Sequence, residues 1–225
     1  METCIISGPI DCKLSINHET QHNGGGPFFI EHFLSKDYIL DKLSPTDNVM
    51  EMCSGPGFMG YYLAYKFNLE KAIFVDINPQ VAESHNTNKT KVDFDVEFYE
   101  SSAFDSYVGE KVDLIVLNPP HLVNEEDFLK TVKEVPGWFP TATKEQEKQS
   151  RLILLDTNFA FHKSFCKNVY NHLTPLGQIA FFENEKYIPH KRLEQHLGDN
   201  FKFEFIQTPE TKLEGYYLLL ATRKL

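Results

Sequence analysis

The residues Asn118-Pro119-Pro120-His121 follow directly on a strongly apolar run, Val112 to Leu117. Two consecutive prolines fix the backbone and remove two N–H donors, which leaves nearby carbonyls without a local partner. The Asn118 side-chain oxygen and the Pro119 carbonyl can then both accept hydrogen bonds from one –NH₂ group. An amine or amide nitrogen held in this way is oriented, and its lone pair is free to attack an electrophile. A second group of residues has the spacing of a nucleotide site. Glu51 interrupts the apolar run Val49 to Cys53, the turn Gly55-Pro56-Gly57-Phe58-Met59-Gly60 follows, and Asp76 ends a second apolar run, Ala72 to Val75. Glycine lets a backbone reverse sharply against a ligand, and the free N–H groups of the next helix offer donors to it. An acid at the tip of the second strand can accept both hydroxyls of a ribose. Gly55 and Asp76 stand about the 20 residues apart that such a unit requires. The chemistry implied is an adenosine cofactor, of a kind the turn alone does not specify.

These residues must be carried by alternating elements. The pattern predicts a strand over Val49–Cys53, a helix over Phe58–Phe67, a strand over Ala72–Val75, a helix from Asn78 to Asn88, and strands over Phe94–Tyr99 and Val112–Leu117. Asn124 caps a predicted helix over Glu125–Glu134, and a long helix is predicted from Gln149 to His172. Leu173-Thr174-Pro175-Leu176-Gly177 reads as a turn into a strand, Gln178–Phe182, and a short helix over Pro189–Leu197 precedes two last strands. FKFEFIQ alternates with Phe201, Phe203 and Phe205 on one face, so the final pair is expected to form an antiparallel edge hairpin. Before the core, residues 1–21 show no clear pattern, and apolar positions from Phe28 to Leu43 recur at helical spacing. Strands alternating with helices predict a mostly parallel sheet with ligand at the carboxyl ends of its strands, where the glycine turn, Asp76 and Asn118 all fall. Gly24–Gly26 read either as a plain linker or as a loop that closes over the ligand. Trp138 and Phe139 read either as core packing or as a second cover.

At 225 residues the chain suits a single domain, with residues 1–47 as an N-terminal extension or lid and 48–225 as the core. A formal charge of −10 argues against a nucleic-acid partner, because phosphate affinity comes from Lys and Arg. No apolar run is long enough for a membrane span, and the N-terminus lacks the pattern of a secretory signal. Cys4, Cys12, Cys53 and Cys166 form no C-x-x-C pair, which predicts free thiols, a cytoplasmic setting and no structural metal. His18 and His22 sit four apart but lack the helix signals that would let them share a metal.

The glycine turn and the Asn-Pro-Pro motif, in this order and spacing, resemble the class I methyltransferases that use S-adenosylmethionine. More narrowly they resemble the branch with an Asn/Asp-Pro-Pro-aromatic motif, which methylates amide, amino or ring-amino nitrogens. The resemblance covers roughly Asn48 to Phe182 and includes the Leu-x-Pro-x-Gly entry at Leu173–Gly177. It implies a Rossmann-like class I methyltransferase fold, α/β, with a mostly parallel seven-stranded sheet and the antiparallel C-terminal hairpin. It implies that Glu51, Gly55 and Gly57 contact the methionine part of the cofactor and that Asp76 holds the ribose. Ile77 would lie beside the adenine, flanked by Ser102, Ala103 and Phe104, and Asn118 with Pro119 would position the acceptor. The chain departs from the family pattern at Cys53, where a glycine is usual, at Ser102, where an acid is usual, and at His121, where an aromatic ring stacks on the substrate. An imidazole there can stack, act as a base, or be only a satisfied rim histidine.

Release-factor glutamine methyltransferases of this branch carry an extra N-terminal substrate domain, for which 47 residues are too few. The chain is therefore expected to methylate a nitrogen of a small molecule. Two other acceptors stay open: the cofactor's own amino group, cyclised to an azetidine carboxylate with release of methylthioadenosine, and a protein glutamine. A nicotinamide dehydrogenase also satisfies G-x-G-x-x-G, but has no need of Glu51 or of the Asn118 motif. A degenerate, non-catalytic binding protein would explain only Cys53 and Ser102.

Overall fold

The computed structural model describes residues 2–6, 12–16, 25–134, 144–212 and 214–225. Two short strands, β1 (Glu2–Ile6) and β2 (Cys12–Ile16), pair antiparallel in a separate ribbon. The helix α1 (Gly25–Phe29) runs into one π-helical turn, Ile30–Leu34, and then a short helix, α2 (Asp37–Leu40). The core follows as β3 (Asn48–Met52), α3 (Phe58–Lys66), β4 (Lys71–Asp76), α4 (Val81–Asn88), β5 (Asp95–Glu100) and β6 (Val112–Leu117). Next come α5 (Glu125–Glu134), α6 (Lys144–Leu154), a 3₁₀ turn at Thr157–Phe159, α7 (Ala160–His172) and β7 (Leu173–Asn184). The chain closes with α8 (His190–Leu197), β8 (Phe201–Ile206), α9 (Pro209–Lys212) and β9 (Tyr216–Arg223).

Seven strands form one sheet in the order β5-β4-β3-β6-β7-β9-β8, with β9 antiparallel to both neighbours and every other pairing parallel. This is the α/β sheet with an antiparallel C-terminal edge that the sequence predicts. Successive side chains of a strand point to opposite faces, and two cores result. Val49, Phe74, Val116 and Phe182 pack with α1, α2 and α3 on one face. Met50, Ile73, Leu117 and Phe181 pack with Phe165 and Val169 of α7 and Leu193 of α8 on the other. Chain order reverses between β3 and β6, so the switch point of the sheet lies between Met52 and Leu117.

The N-terminal segment, which shows no clear sequence pattern, holds the ribbon β1–β2. Three expectations are corrected. The helix expected from Phe28 to Leu43 breaks at Lys36, whose backbone is extended (φ −89°, ψ 118°). Both halves still bury their apolar sides, which is why one periodicity runs through the break. The long helix expected from Gln149 to His172 is two helices, parted where Asn158 and Phe159 both take left-handed conformations (φ 59° and 61°). The turn expected at Leu173–Gly177 lies inside β7, with Leu176 at φ 66° and a register shift opposite Val112/Leu114. His18, His22, Gly24, Trp138 and Phe139 lie outside the described residues.

Candidate functional site

The turn after β3 leaves the strand through Cys53 at φ 56°, then Gly55 at φ 46° and Gly57 at φ 83°. A Cβ on Gly57 would lie 2.7 Å from both the His85 and the Phe74 rings, so that position admits glycine alone. His85, buried on α4, donates from Nε2 to the Gly55 carbonyl (3.0 Å) and accepts the Tyr61 hydroxyl at Nδ1 (3.2 Å). Its ring stacks on Phe74 at 4.2 Å, and burial pushes its pKa down to about 3, so it is neutral. The Gly55 N–H donates to one Asp76 oxygen and the Asn78 N–H to the other, both at 2.8 Å. Burial raises the Asp76 pKa against those two bonds. Glu51 accepts the Gly60 N–H at 2.7 Å, and burial drives its pKa up to about 8. It therefore holds a proton at neutral pH.

A cavity of about 460 Å³ opens at the carboxyl ends of β3, β4 and β6. Of the residues singled out from the sequence, Cys53, Asp76, Ile77, Ser102, Ala103, Asn118, Pro119 and His121 line it. Glu51, Gly55 and Gly57 stand behind that wall and shape the turn. Phe104 faces away, stacked on His172 at 4.2 Å and on Phe165 at 5.3 Å. Phe28 and Phe29 of α1 close one side, so the residues after the glycine run do form part of the wall. A Cβ on Gly26 would come within 2.8 Å of the Phe58 Cβ, and this close approach seats α1 on α3.

Sequence reasoning missed Asn78, which lines the cavity while almost fully buried. Its Oδ1 accepts the Gln80 N–H, and its Nδ2 has no partner among the described residues. A buried donor left open is a position where a ligand acceptor would be favoured. Its adjacency to Asp76 and Ile77 was the only signal available.

On the other side of the switch point, the Asn118 carboxamide makes no hydrogen bond to any described residue and is half-buried at the wall. The His121 ring lies 5.3 Å from Tyr187. Burial and the neighbouring His162 push its pKa down to about 4, so it is neutral near pH 7. Behind this wall stands a buried triad. His162 Nδ1 lies 2.6 Å from Asp156 Oδ2, and His162 Nε2 lies 2.7 Å from Glu183 Oε1. Burial opposes the charged form of His162, but the bonds to Asp156 and Glu183 outweigh it and raise its pKa. Burial pushes Glu183 up to about 7. Asp156 reaches the cavity. No spacing rule joins these three residues, which come from a helix break, a helix and a strand. Burial also holds the Cys53 thiol well above its ordinary pKa, so it is no thiolate nucleophile.

Residues 24–155 match the family model described as the methyltransferase small domain. The chain belongs to that family. Among curated relatives, the methyltransferase is 30% identical over 91 residues to the ribosomal protein uL3 glutamine methyltransferase of Francisella tularensis, covering 40% of this chain and 29% of that protein. It is 28% identical over 137 residues to the release factor glutamine methyltransferase of Fusobacterium nucleatum, covering 60% and 36%. Against the enzyme of the same name from Koribacter versatilis it is 26% identical over 148 residues, covering 65% and 50%. The chain thus spans between 29% and 50% of the length of these relatives.

The fold is that of a Pyrococcus furiosus methyltransferase (TM-score 0.56, 16% identity, 84% and 82% of the two chains). It is also that of a Thermus thermophilus 16S rRNA methyltransferase solved with S-adenosylmethionine and guanosine (TM-score 0.58, 14% identity, 99% and 50%). The family is one of methyltransferases, and a Streptococcus mutans protein with the same fold (TM-score 0.52, 15% identity, 84% and 96%) is solved with S-adenosylhomocysteine. The expected small-molecule acceptor is overturned, because these curated relatives act on glutamine in proteins. Counting residues before the first strand was the wrong criterion for the acceptor. No helix among the described residues is long and apolar enough to cross a membrane.

Proposed function

We propose that this enzyme transfers the cofactor's methyl group to the side-chain amide nitrogen of a glutamine in a protein. The observation that carries the reading is the free Asn118 carboxamide beside Pro119, on the wall of the cavity that Asp76 and Asn78 also line. The glutamine methyltransferases among the relatives support it. Ile77 (47% exposed) and Leu152 (38%) belong to the wall, so the cavity reaches the surface and a glutamine carried on a loop can enter.

When bound, S-adenosylmethionine supplies an activated methyl group with a good leaving group. The enzyme's own part is positioning. Asp76 takes the ribose hydroxyls, and the unpartnered Asn78 amide donates to a nearby acceptor on the nucleoside. Ser102 and Ala103 flank the base, and the turn shaped by Glu51, Gly55 and Gly57 receives the amino-acid end. Asn118 and the Pro119 carbonyl accept the two amide hydrogens of the glutamine, which turns the nitrogen lone pair toward the methyl carbon. Methylation of that nitrogen would release one proton, which solvent at the open mouth of the cavity would take up. His121, neutral and flanked by Tyr187, borders the acceptor.

The test is to incubate the enzyme with S-adenosylmethionine and purified release factor or uL3, and to map the product by mass spectrometry. One added methyl on a glutamine side chain is expected. Asn118→Ala should cut turnover about a hundredfold while calorimetry shows cofactor affinity unchanged within about threefold. Methylthioadenosine appearing without any acceptor would replace this reading with cofactor cyclisation, and normal turnover by Asn118→Ala would remove Asn118 from the reaction.

A further inference from the structure

The segment after Asn118 is sutured to the break between α6 and α7. Leu122 N–H donates to the Leu154 carbonyl (2.9 Å), Asp156 N–H to the Leu122 carbonyl (2.8 Å) and Asn158 N–H to the Val123 carbonyl (3.1 Å), with Leu122 and Leu155 in parallel register. Between Leu122 and Asn118 stand two prolines with fixed φ. Two of the torsions that could absorb a shift at Leu122 before it reaches Asn118 are thereby removed.

The break itself is held in a costly shape. Asn158 and Phe159 are consecutive non-glycine residues in left-handed conformations, which persist only where surrounding contacts over-determine them. Asp156 supplies those contacts. Its Oδ1 accepts the Phe161 N–H (2.7 Å) and its Oδ2 the His162 N–H (3.3 Å) and ring nitrogen, so it caps α7. His162, fully buried, stacks on Phe159 at 4.3 Å and runs on to Glu183 near the end of β7. The Arg192 guanidinium lies 4.0 Å over the same Phe159 ring. Ionised groups this deep are expensive to bury unless paired.

We infer that Asp156, His162 and Glu183 are positioning residues that clamp the acceptor side of the cavity, fixing Asn118 and His121 through the Leu122–Asn158 suture. The clamp ties the loop that carries the acceptor residue to the sheet by a route independent of the cofactor turn. Its role in turnover rests on the reading of Asn118 given above; its effect on the loop does not.

Amide hydrogen exchange on the full chain tests it. His162→Phe keeps the ring on Phe159 and removes both hydrogen bonds. Exchange at Leu122, Asp156 and Asn158 should quicken at least about tenfold, while Ile115 and Val116 in β6 keep their protection. Glu183→Gln retains an acceptor for His162 Nε2 and should restore wild-type exchange. Should His162→Phe fail to fold, Glu183→Leu, which cuts only the far end of the clamp, is read in its place. S-adenosylmethionine affinity by calorimetry should stay within about threefold in each variant that folds, whereas turnover on release factor should fall at least about tenfold when the suture loosens. Unchanged exchange at Leu122 and Asp156, or equal loosening of β6, overturns the clamp. Loosening of the suture with turnover intact would keep the clamp on the loop and overturn its link to Asn118.

Discussion

Cys53 occupies a backbone conformation that costs a residue with a Cβ about 1–2 kcal/mol. Its φ of 56° is the physical reason the position usually belongs to glycine. Glycine gives back about 0.5–1 kcal/mol through its looser unfolded chain, so Cys53→Gly should stabilise the protein by about 0.5–1 kcal/mol, read as a rise of a few degrees in Tm. Asp76→Ala should abolish cofactor binding in calorimetry, since it removes the proposed ribose acceptor and unties the Gly55 and Asn78 N–H groups that Asp76 now holds. Retained affinity would take the ribose from Asp76. At this scale the sequence was legible wherever function follows chain neighbours: the glycine turn, Asp76 and the Asn118 motif are local patterns. His85 and the Asp156–His162–Glu183 triad are contacts between residues up to 30 positions apart, and no local pattern announces them.

Elements were legible when one face of a segment packs uniformly. The helix Glu125–Glu134 and the strand Val112–Leu117 fall where capping and apolar content put them. The two long helices did not, because hydrophobic spacing persists across Lys36 and across Asn158-Phe159 while the backbone breaks. What breaks the second is a buried side-chain cap from Asp156, tied to β7 through His162 and Glu183. Asn158→Gly should keep the break and relieve its left-handed strain, giving a neutral or slightly higher Tm. Gly26→Ala belongs to this scale as well. Its methyl would meet the Phe58 Cβ at 2.8 Å, so α1 must lift from α3. A loss of about 1–3 kcal/mol by chemical denaturation is expected, with the aromatic wall of Phe28 and Phe29 displaced.

For the whole molecule, buried groups set the pH dependence of stability. Glu51 and Glu183, raised to about 8 and about 7, hold protons in the folded state that the unfolded chain releases above about 4.5. Folding then binds more protons than unfolding, so stability falls as pH rises from 4.5 to 8. His85 and His121, lowered to about 3 and about 4, act in the opposite sense. The unfolded chain takes up protons below about 6.5 that these rings refuse, so their stability is lost as pH falls. The two effects oppose one another between 4.5 and 6.5; above pH 7 the carboxyls set the slope, and His162, whose pKa its two carboxylate partners raise, acts in the same sense. Stability should drop by about 1 kcal/mol or more from pH 7 to 8, a slope that urea melts of Glu51→Gln would show reduced; an unchanged slope would take Glu51 out of the account. The sheet was legible at this scale because alternation of strand and helix leaves few topologies open. The acceptor was not, because it depends on what enters the cavity and not on how the chain is layered.

The reversal of strand order between β3 and β6 has a hereditary consequence. The residues proposed to hold the cofactor lie between Glu51 and Ala103, and those proposed for the acceptor begin at Asn118. The boundary falls in the loop 105–111, between β5 at one edge of the sheet and β6 at its centre. A single genetic crossover in that loop would join an unchanged cofactor half to a foreign acceptor half without cutting a strand. On the proposed assignment, recombination in that loop is a route by which such a layout could change its acceptor.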